Sequence, residues 1–175
     1  MPPRPEPREP RTIFITVGTT QFNALVSAAS SPVFLSAARA LGYARVLIQH
    51  GRGRAPAPCA AGPSHAALES YPLKPDISAD LSAAALCVSH AGAGSVFEAL
   101  RAGVPLLVAC NPALADNHQE ELAAAMAGGG HCAVARAPLS ADLRAAAGAR
   151  FEPLPAAAPR AFAAAVDAAC MGQAW

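Results

Sequence analysis

Lysine is almost absent from this chain: Lys74 stands alone beside 12 arginines in 175 residues. Thirteen basic and 12 acidic side chains leave a formal net charge of +1, and no stretch gathers Lys and Arg together. A nucleic-acid binder carries such a cluster as its electrostatic footprint, so no nucleic-acid partner is expected. No apolar run reaches the roughly 18 uncharged residues of a membrane-crossing helix. The N-terminal stretch lacks the apolar core of a secretory signal. The expectation is a soluble, intracellular, cytoplasmic chain. Cys59, Cys87, Cys110, Cys132 and Cys170 are scattered and form no C-x-x-C pair, which argues against a disulfide framework or a zinc site. They read as small thiols in a reducing compartment. No D-x-D occurs either, so a metal held by paired carboxylates has no ready ligands. Neither a metal nor a cofactor is expected.

What is present is small and apolar. The apolar share is 53%, but 46 residues are alanine, so the content of large side chains is ordinary. The length suits one domain, and at this size about 68–70% of the unfolded surface is buried without staples. Residues 1–11 are dense in proline and alternate in charge, which predicts a disordered tail. From Thr12 onward strand-like runs alternate with helical ones. Strands are predicted over Thr12–Val17, Arg45–Gln49, Ala66–Tyr71, Ala85–Ser89, Val104–Ala109 and Cys132–Ala135. Helices are predicted over Asn23–Leu41 with a break near Ser30–Pro32, then Asp76–Ala84, Ser95–Ala102, Asn117–Met126, 139–147 and 156–171. This order predicts an α/β fold: a Rossmann-like, doubly wound, mostly parallel sheet in a single domain over residues 12–155. A separate C-terminal helix is expected over residues 156–175.

Ligands of such sheets bind beyond the carboxyl ends of the strands, where the connections diverge. Two glycine-bearing turns fall there: Val17-Gly-Thr-Thr-Gln21, and His90-Ala-Gly-Ala-Gly-Ser95. In the second, small residues let backbone N–H groups approach a phosphate, and the following helix offers its positive N-terminus. Ser95 adds a hydroxyl and His90 a ring nitrogen. A tight strand-to-helix turn without a ligand fits the same spacing. Neither turn is a Walker loop, and the dinucleotide fingerprint fails because Phe97 stands at its third glycine. Glu98, one helical turn on, can accept from two ribose hydroxyls, or can be an ordinary solvated helix carboxylate. Asn117, His118 and Gln119 combine donors and acceptors suited to sugar hydroxyls, or simply cap and open a helix. His50 and His65 read as structural or surface residues.

Together, Ile15-Thr-Val-Gly-Thr-Thr-Gln-Phe22, Ile48-Gln-His-Gly-Arg-Gly53, Val88–Ser95 with Glu98, Gly103-Val-Pro105 and Asn117-His-Gln119 resemble one family. It comprises the catalytic subunits of the UDP-N-acetylglucosamine transferase that adds the second sugar of dolichol-linked oligosaccharide. These are similar to the C-terminal half of family-28 GT-B glycosyltransferases. The resemblance runs from about residue 12 to beyond 130 and weakens over 54–66 and after Pro138. It implies that Gly18, Thr19 and Thr20 line the donor diphosphate, as do His90, Ala91, Gly92, Ala93, Gly94 and Ser95. It implies Glu98 on the ribose and Asn117, His118 and Gln119 on the N-acetylglucosamine. It further implies a membrane-anchored partner subunit, a lipid-linked sugar acceptor and recruitment to the cytosolic face of the endoplasmic reticulum. The catalytic base is not evident in this chain. Through Phe162, Val166 and Cys170 the C-terminal helix is expected to dock on that partner. Two other readings are a split bacterial-type exopolysaccharide transferase using another UDP-sugar, and a non-catalytic nucleotide-binding module. His90, Glu98 and Gln119 together argue against the module.

Overall fold

The computed structural model describes residues 11–59, 62–113, 118–136 and 138–154. Six strands form one all-parallel sheet: β1 (Arg11–Thr16), β2 (Tyr43–Gln49), β3 (Ala67–Tyr71), β4 (Ala84–His90), β5 (Leu106–Ala109) and β6 (Ala133–Val134), in the order β3-β2-β1-β4-β5-β6. Around it lie α1 (Asn23–Ala29), α2 (Pro32–Ala40), α3 (Ser78–Ala83), α4 (Ala93–Arg101), α5 (His118–Gly128) and α6 (Leu139–Ala147). The α/β, doubly wound Rossmann-like sheet expected from the sequence is the fold.

The central strands are buried on both faces, so they read as nearly unbroken apolar runs. Their two-residue period sorts side chains onto two cores. Ile13, Ile15, Val46, Ile48, Leu86 and Val88 face α1, α2 and α6, where Leu25, Phe34, Leu35 and Leu143 meet them. Phe14, Leu47, Cys87, Leu106 and Val108 face the other side, against Leu81, Val96, Leu100 and Ala123. At the edge, β3 is mostly exposed, and a bidentate Arg45–Glu69 pair ties it to β2.

Local chemistry accounts for the element ends. The break in the long predicted helix is a cap: the Ser31 hydroxyl accepts from Phe34 N–H at 3.2 Å, and Pro32 opens α2. Helix α3 starts at Ser78, later than predicted, because Asp76 Oδ1 accepts the Ser78 N–H at 2.8 Å and holds residues 76–78 in a turn. Helix α4 starts at Ala93, two residues before the predicted Ser95, with Gly92 in extended conformation as its N-cap. Strand β1 includes Arg11, which the sequence assigns to the tail. Its guanidinium lies 4.3 Å from the Tyr43 ring centroid and donates to the Tyr43 hydroxyl. Among the described residues no helix is long and apolar enough to cross a membrane. The predicted helix 156–171, with its docking role, lies outside the described residues.

Candidate functional site

Strand β1 is flanked by β2 on one side and β4 on the other, so the crossovers diverge between β1 and β4. The crevice beyond their carboxyl ends is where a ligand of such a sheet sits. It holds a cleft of about 740 Å³, and both glycine-bearing turns open into it. Gly18, Thr19, Thr20, His90, Gly92, Ala93, Gly94, Ser95 and Glu98 all line it.

The first turn is held from beneath. Gly18 N–H donates to Thr16 Oγ1 at 3.1 Å, the Thr16 hydroxyl donates to Gln49 Oε1 at 2.6 Å, and Gln49 Nε2 donates to the Gly18 carbonyl at 3.0 Å. Thr16 and Gln49 are 0% and 1% exposed, so this closed ring of bonds is expensive to break. Thr20 spends both its N–H and its hydroxyl on the Val17 carbonyl, at 3.3 and 2.9 Å. The exposed Thr19 is left as the open donor of the turn, through its N–H and hydroxyl.

The second turn contributes the start of α4. Helix geometry leaves the first N–H groups without intrahelical acceptors, and no side chain caps them here. Ala93 and Gly94 are exposed to the cleft, so among the described residues no side chain covers that positive end. The two turns touch. A Cβ built on Gly18, whose φ is +60°, would lie 2.5 Å from His90 Cε1 and 3.1 Å from Ser95 Oγ. One built on Gly92 would lie 2.2 Å from His90 Nε2. The Cε1–Nε2 end of the His90 ring thus packs against two glycines, each small enough to admit it.

That ring is buried, and its Nδ1 has no hydrogen-bond partner among the described residues. Burial holds His90 below the usual imidazole range. The Thr16 backbone pulls weakly the other way, lying close without reaching hydrogen-bonding geometry. The folded-state pKa is therefore below the unfolded value of 6.5. Stability from this group is complete above pH 6.5 and is lost as pH falls through the lower folded value, because the unfolded chain then binds a proton that the folded one refuses. The melting temperature is expected to fall on acidification below that pH, and less steeply in His90→Gln. Parallel profiles of the two proteins in a pH series of thermal melts remove His90 as the cause.

Glu98 is exposed on the cleft wall and its carboxylate makes no bond among the described residues, so its oxygens face hydroxyl donors entering the cleft. Ala91, expected on the diphosphate, does not face the cleft. It is 2% exposed, does not line the cleft, and gives its N–H to the Ala109 carbonyl at 3.1 Å, so it extends the β4–β5 pairing instead of facing a ligand. Gln119 stands outside the cleft wall, beyond β5, because α5 belongs to the next crossover. Its Oε1 accepts Asn111 N–H at 3.4 Å, and Asn111 Nδ2 donates to the Gln21 carbonyl at 3.4 Å. Asn117 and the side chain of His118 lie outside the described residues. His50 is structural, its Nδ1 bonded to the Gly53 carbonyl at 3.2 Å. Among the described residues no three metal-ligating side chains come together.

Sequence reasoning missed two parts of the site. One is the Thr16–Gln49 support, whose only signal is a pair of polar residues ending two apolar strands. The other is a further part of the cleft wall, the loop between β3 and α3, where Leu73, Pro75 and Ile77 supply apolar surface. Nothing in that loop reads as a motif.

The model of the glycosyltransferase family 28 C-terminal domain matches residues 12–140. The chain is 41% identical over 122 residues to the UDP-N-acetylglucosamine transferase subunit ALG13 of Homo sapiens, covering 69% of this chain and 11% of that protein. It is 35% identical over 157 residues to the subunit of the same name from Eremothecium gossypii, covering 73% of this chain and 76% of that one. It spans about a tenth of the length of the human and mouse relatives. The solution structure of an ALG13 superposes with a TM-score of 0.66 at 26% identity, covering 88% of this chain and 94% of that one. MurG of Acinetobacter baumannii shares the fold at TM-score 0.59 and 21% identity, over 80% of this chain and 42% of its own.

Proposed function

Because the chain belongs to the family of the glycosyltransferase family 28 C-terminal domain, we propose that it is the donor-binding half of a UDP-N-acetylglucosamine transferase. The acceptor is dolichyl-diphospho-N-acetylglucosamine, held by a membrane-anchored partner subunit at the cytosolic face of the endoplasmic reticulum. The observation that carries this reading is the juxtaposition of two turns at the switch point of the sheet, with the uncapped start of α4 and the Thr19 donors opening on one cleft. Such a constellation suits a diphosphate.

Glu98 then accepts from the ribose hydroxyls, and the apolar wall of Leu73, Pro75 and Ile77 takes the flat base. The sugar extends from the first turn toward α5, where Asn117, His118 and Gln119 belong to its recognition. In the transfer an acceptor hydroxyl oxygen bonds to the anomeric carbon as the bond to the diphosphate breaks, with inversion. UDP departs with the electron pair, and a base takes the hydroxyl proton. Donors already aimed at the leaving diphosphate stabilise its growing charge without reorganising. The helix N-terminus and hydroxyls supply that here, so transfer is metal-independent on this reading. The base comes from the partner half.

The test is co-expression of the full chain with a candidate membrane subunit, assaying N-acetylglucosamine transfer to a dolichyl-diphosphate acceptor. Transfer by the pair, none by the chain alone, and most activity surviving chelation are the expected results. Preference for a different UDP-sugar in competition sinks the donor assignment, and a Mg²⁺ or Mn²⁺ requirement in the chemical step sinks metal independence.

A further inference from the structure

One charged cluster at the cleft has no task in the donor reading. Lys74 stands in the loop between β3 and α3, bordering the cleft. Its Nζ meets Asp80 Oδ2 at 2.5 Å and lies 4.9 Å from the centroid of the Tyr71 ring. The Tyr71 hydroxyl donates to the same carboxylate oxygen, and burial together with that bond pushes the phenol above its usual range. The three side chains come from three places: the last residue of β3, the loop itself and the first turn of α3.

The loop needs such a tie. Pro72 and Pro75 have no N–H to donate, so its backbone offers few anchors. Leu73 N–H reaches the Gly51 carbonyl at 3.2 Å, and Asp76 closes its own turn on Ser78. Lys74 adds the side-chain link from the loop to α3. The pair is half-buried, at 37% and 17% side-chain exposure, so it is screened less than a surface pair, and the ring face beneath the ammonium adds to it. Leu73, Pro75 and Ile77, on either side of this link, are the apolar wall of the cleft.

We propose that Lys74 is a positioning residue: paired with Asp80 over the Tyr71 ring, it holds the 73–77 wall against the nucleotide base and so sets base preference. The proposal rests on the donor-site reading given above. It assigns the lone lysine to loop geometry and not to the diphosphate, because its charge is already engaged at Asp80.

The test titrates UDP calorimetrically into the full chain and into Lys74→Ala, Lys74→Arg, Asp80→Asn and the Lys74→Ala/Asp80→Asn double variant. ADP, which shares the ribose and diphosphate, is read by competition against UDP. Lys74→Ala is expected to weaken UDP about three- to tenfold while leaving ADP unchanged, so the UDP-over-ADP preference shrinks by the same factor. Asp80→Asn should match it, the double variant should be no weaker than the weaker single one, and Lys74→Arg should restore most of the affinity. If ADP weakens in step with UDP, or Asp80→Asn strengthens UDP by releasing the ammonium, Lys74 acts on the diphosphate and the positioning role is overturned. Unchanged UDP affinity in Lys74→Ala overturns it as well. A wild-type chain that binds no UDP overturns the donor-site reading and takes this one with it, whereas the other adverse outcomes strike the Lys74 role alone.

Discussion

Gly92→Ala is expected to abolish donor binding and to lower the melting temperature, and His90→Ala in the same chain is expected to rescue the second effect but not the first. Gly92 has φ −81° and ψ 130°, a conformation any residue adopts, so backbone strain is not the issue. Space is. The added methyl would sit 2.2 Å from His90 Nε2, and Gly18 already packs against the same Cε1–Nε2 end of the buried ring, which leaves it little room to shift. Overpacking of this kind costs about 1–3 kcal/mol. In a domain of this size that corresponds to a fall of roughly 2–12 °C. With the ring removed, the same substitution acts mainly by stiffening the unfolded chain, and its sign reverses to a stabilisation of about 0.4–1 kcal/mol. A thermal-melt cycle over the four proteins measures this. If Gly92→Ala is equally harmful with and without His90, the ring does not set the requirement for glycine. Donor binding fails in the single variant because the displaced ring disturbs the 90–95 turn that lines the cleft, and in the double variant because His90 itself, placed on the diphosphate, is gone.

Glu98→Gln separates binding from folding in the opposite way. The side chain is exposed, makes no bond among the described residues, and sits in a helix where glutamine is as good a former as glutamate. Its replacement should therefore change stability by no more than about 0.5 kcal/mol. Loss of the charge from a pair of hydrogen bonds to the ribose costs about 1.5–3 kcal/mol, or roughly ten- to hundredfold in UDP affinity. Titrations with UDP and with 2′,3′-dideoxy-UDP give the check. The variant should bind both about equally, whereas the natural chain should prefer UDP. An unchanged affinity for UDP removes Glu98 from the ribose.

Much of this was legible in the chain itself, because it depends on neighbours a few residues apart. Period-two runs such as Ile13-Phe14-Ile15 and Val46-Leu47-Ile48 announce strands buried on both faces, and the two faces receive the side chains that the alternation dictates. Ser31 before Pro32 accounts for the start of α2, and the glycines after β1 and β4 mark turns that a phosphate can approach. Other features exist only once distant segments meet. The order β3-β2-β1-β4-β5-β6 brings the 18–20 turn against His90, and this contact between distant segments is why a side chain at Gly18 would meet the ring. The same assembly joins Gln49 to Thr16 beneath the first turn and swings the 73–77 loop across the cleft as its apolar wall. It also leaves Gln119 beyond the wall, bonded to Asn111. Local sequence determines dihedral preference, periodicity and caps, whereas the partners of a strand, and hence which turns share a crevice, follow from burying two opposite faces at once. That condition is met only by the folded sheet as a whole.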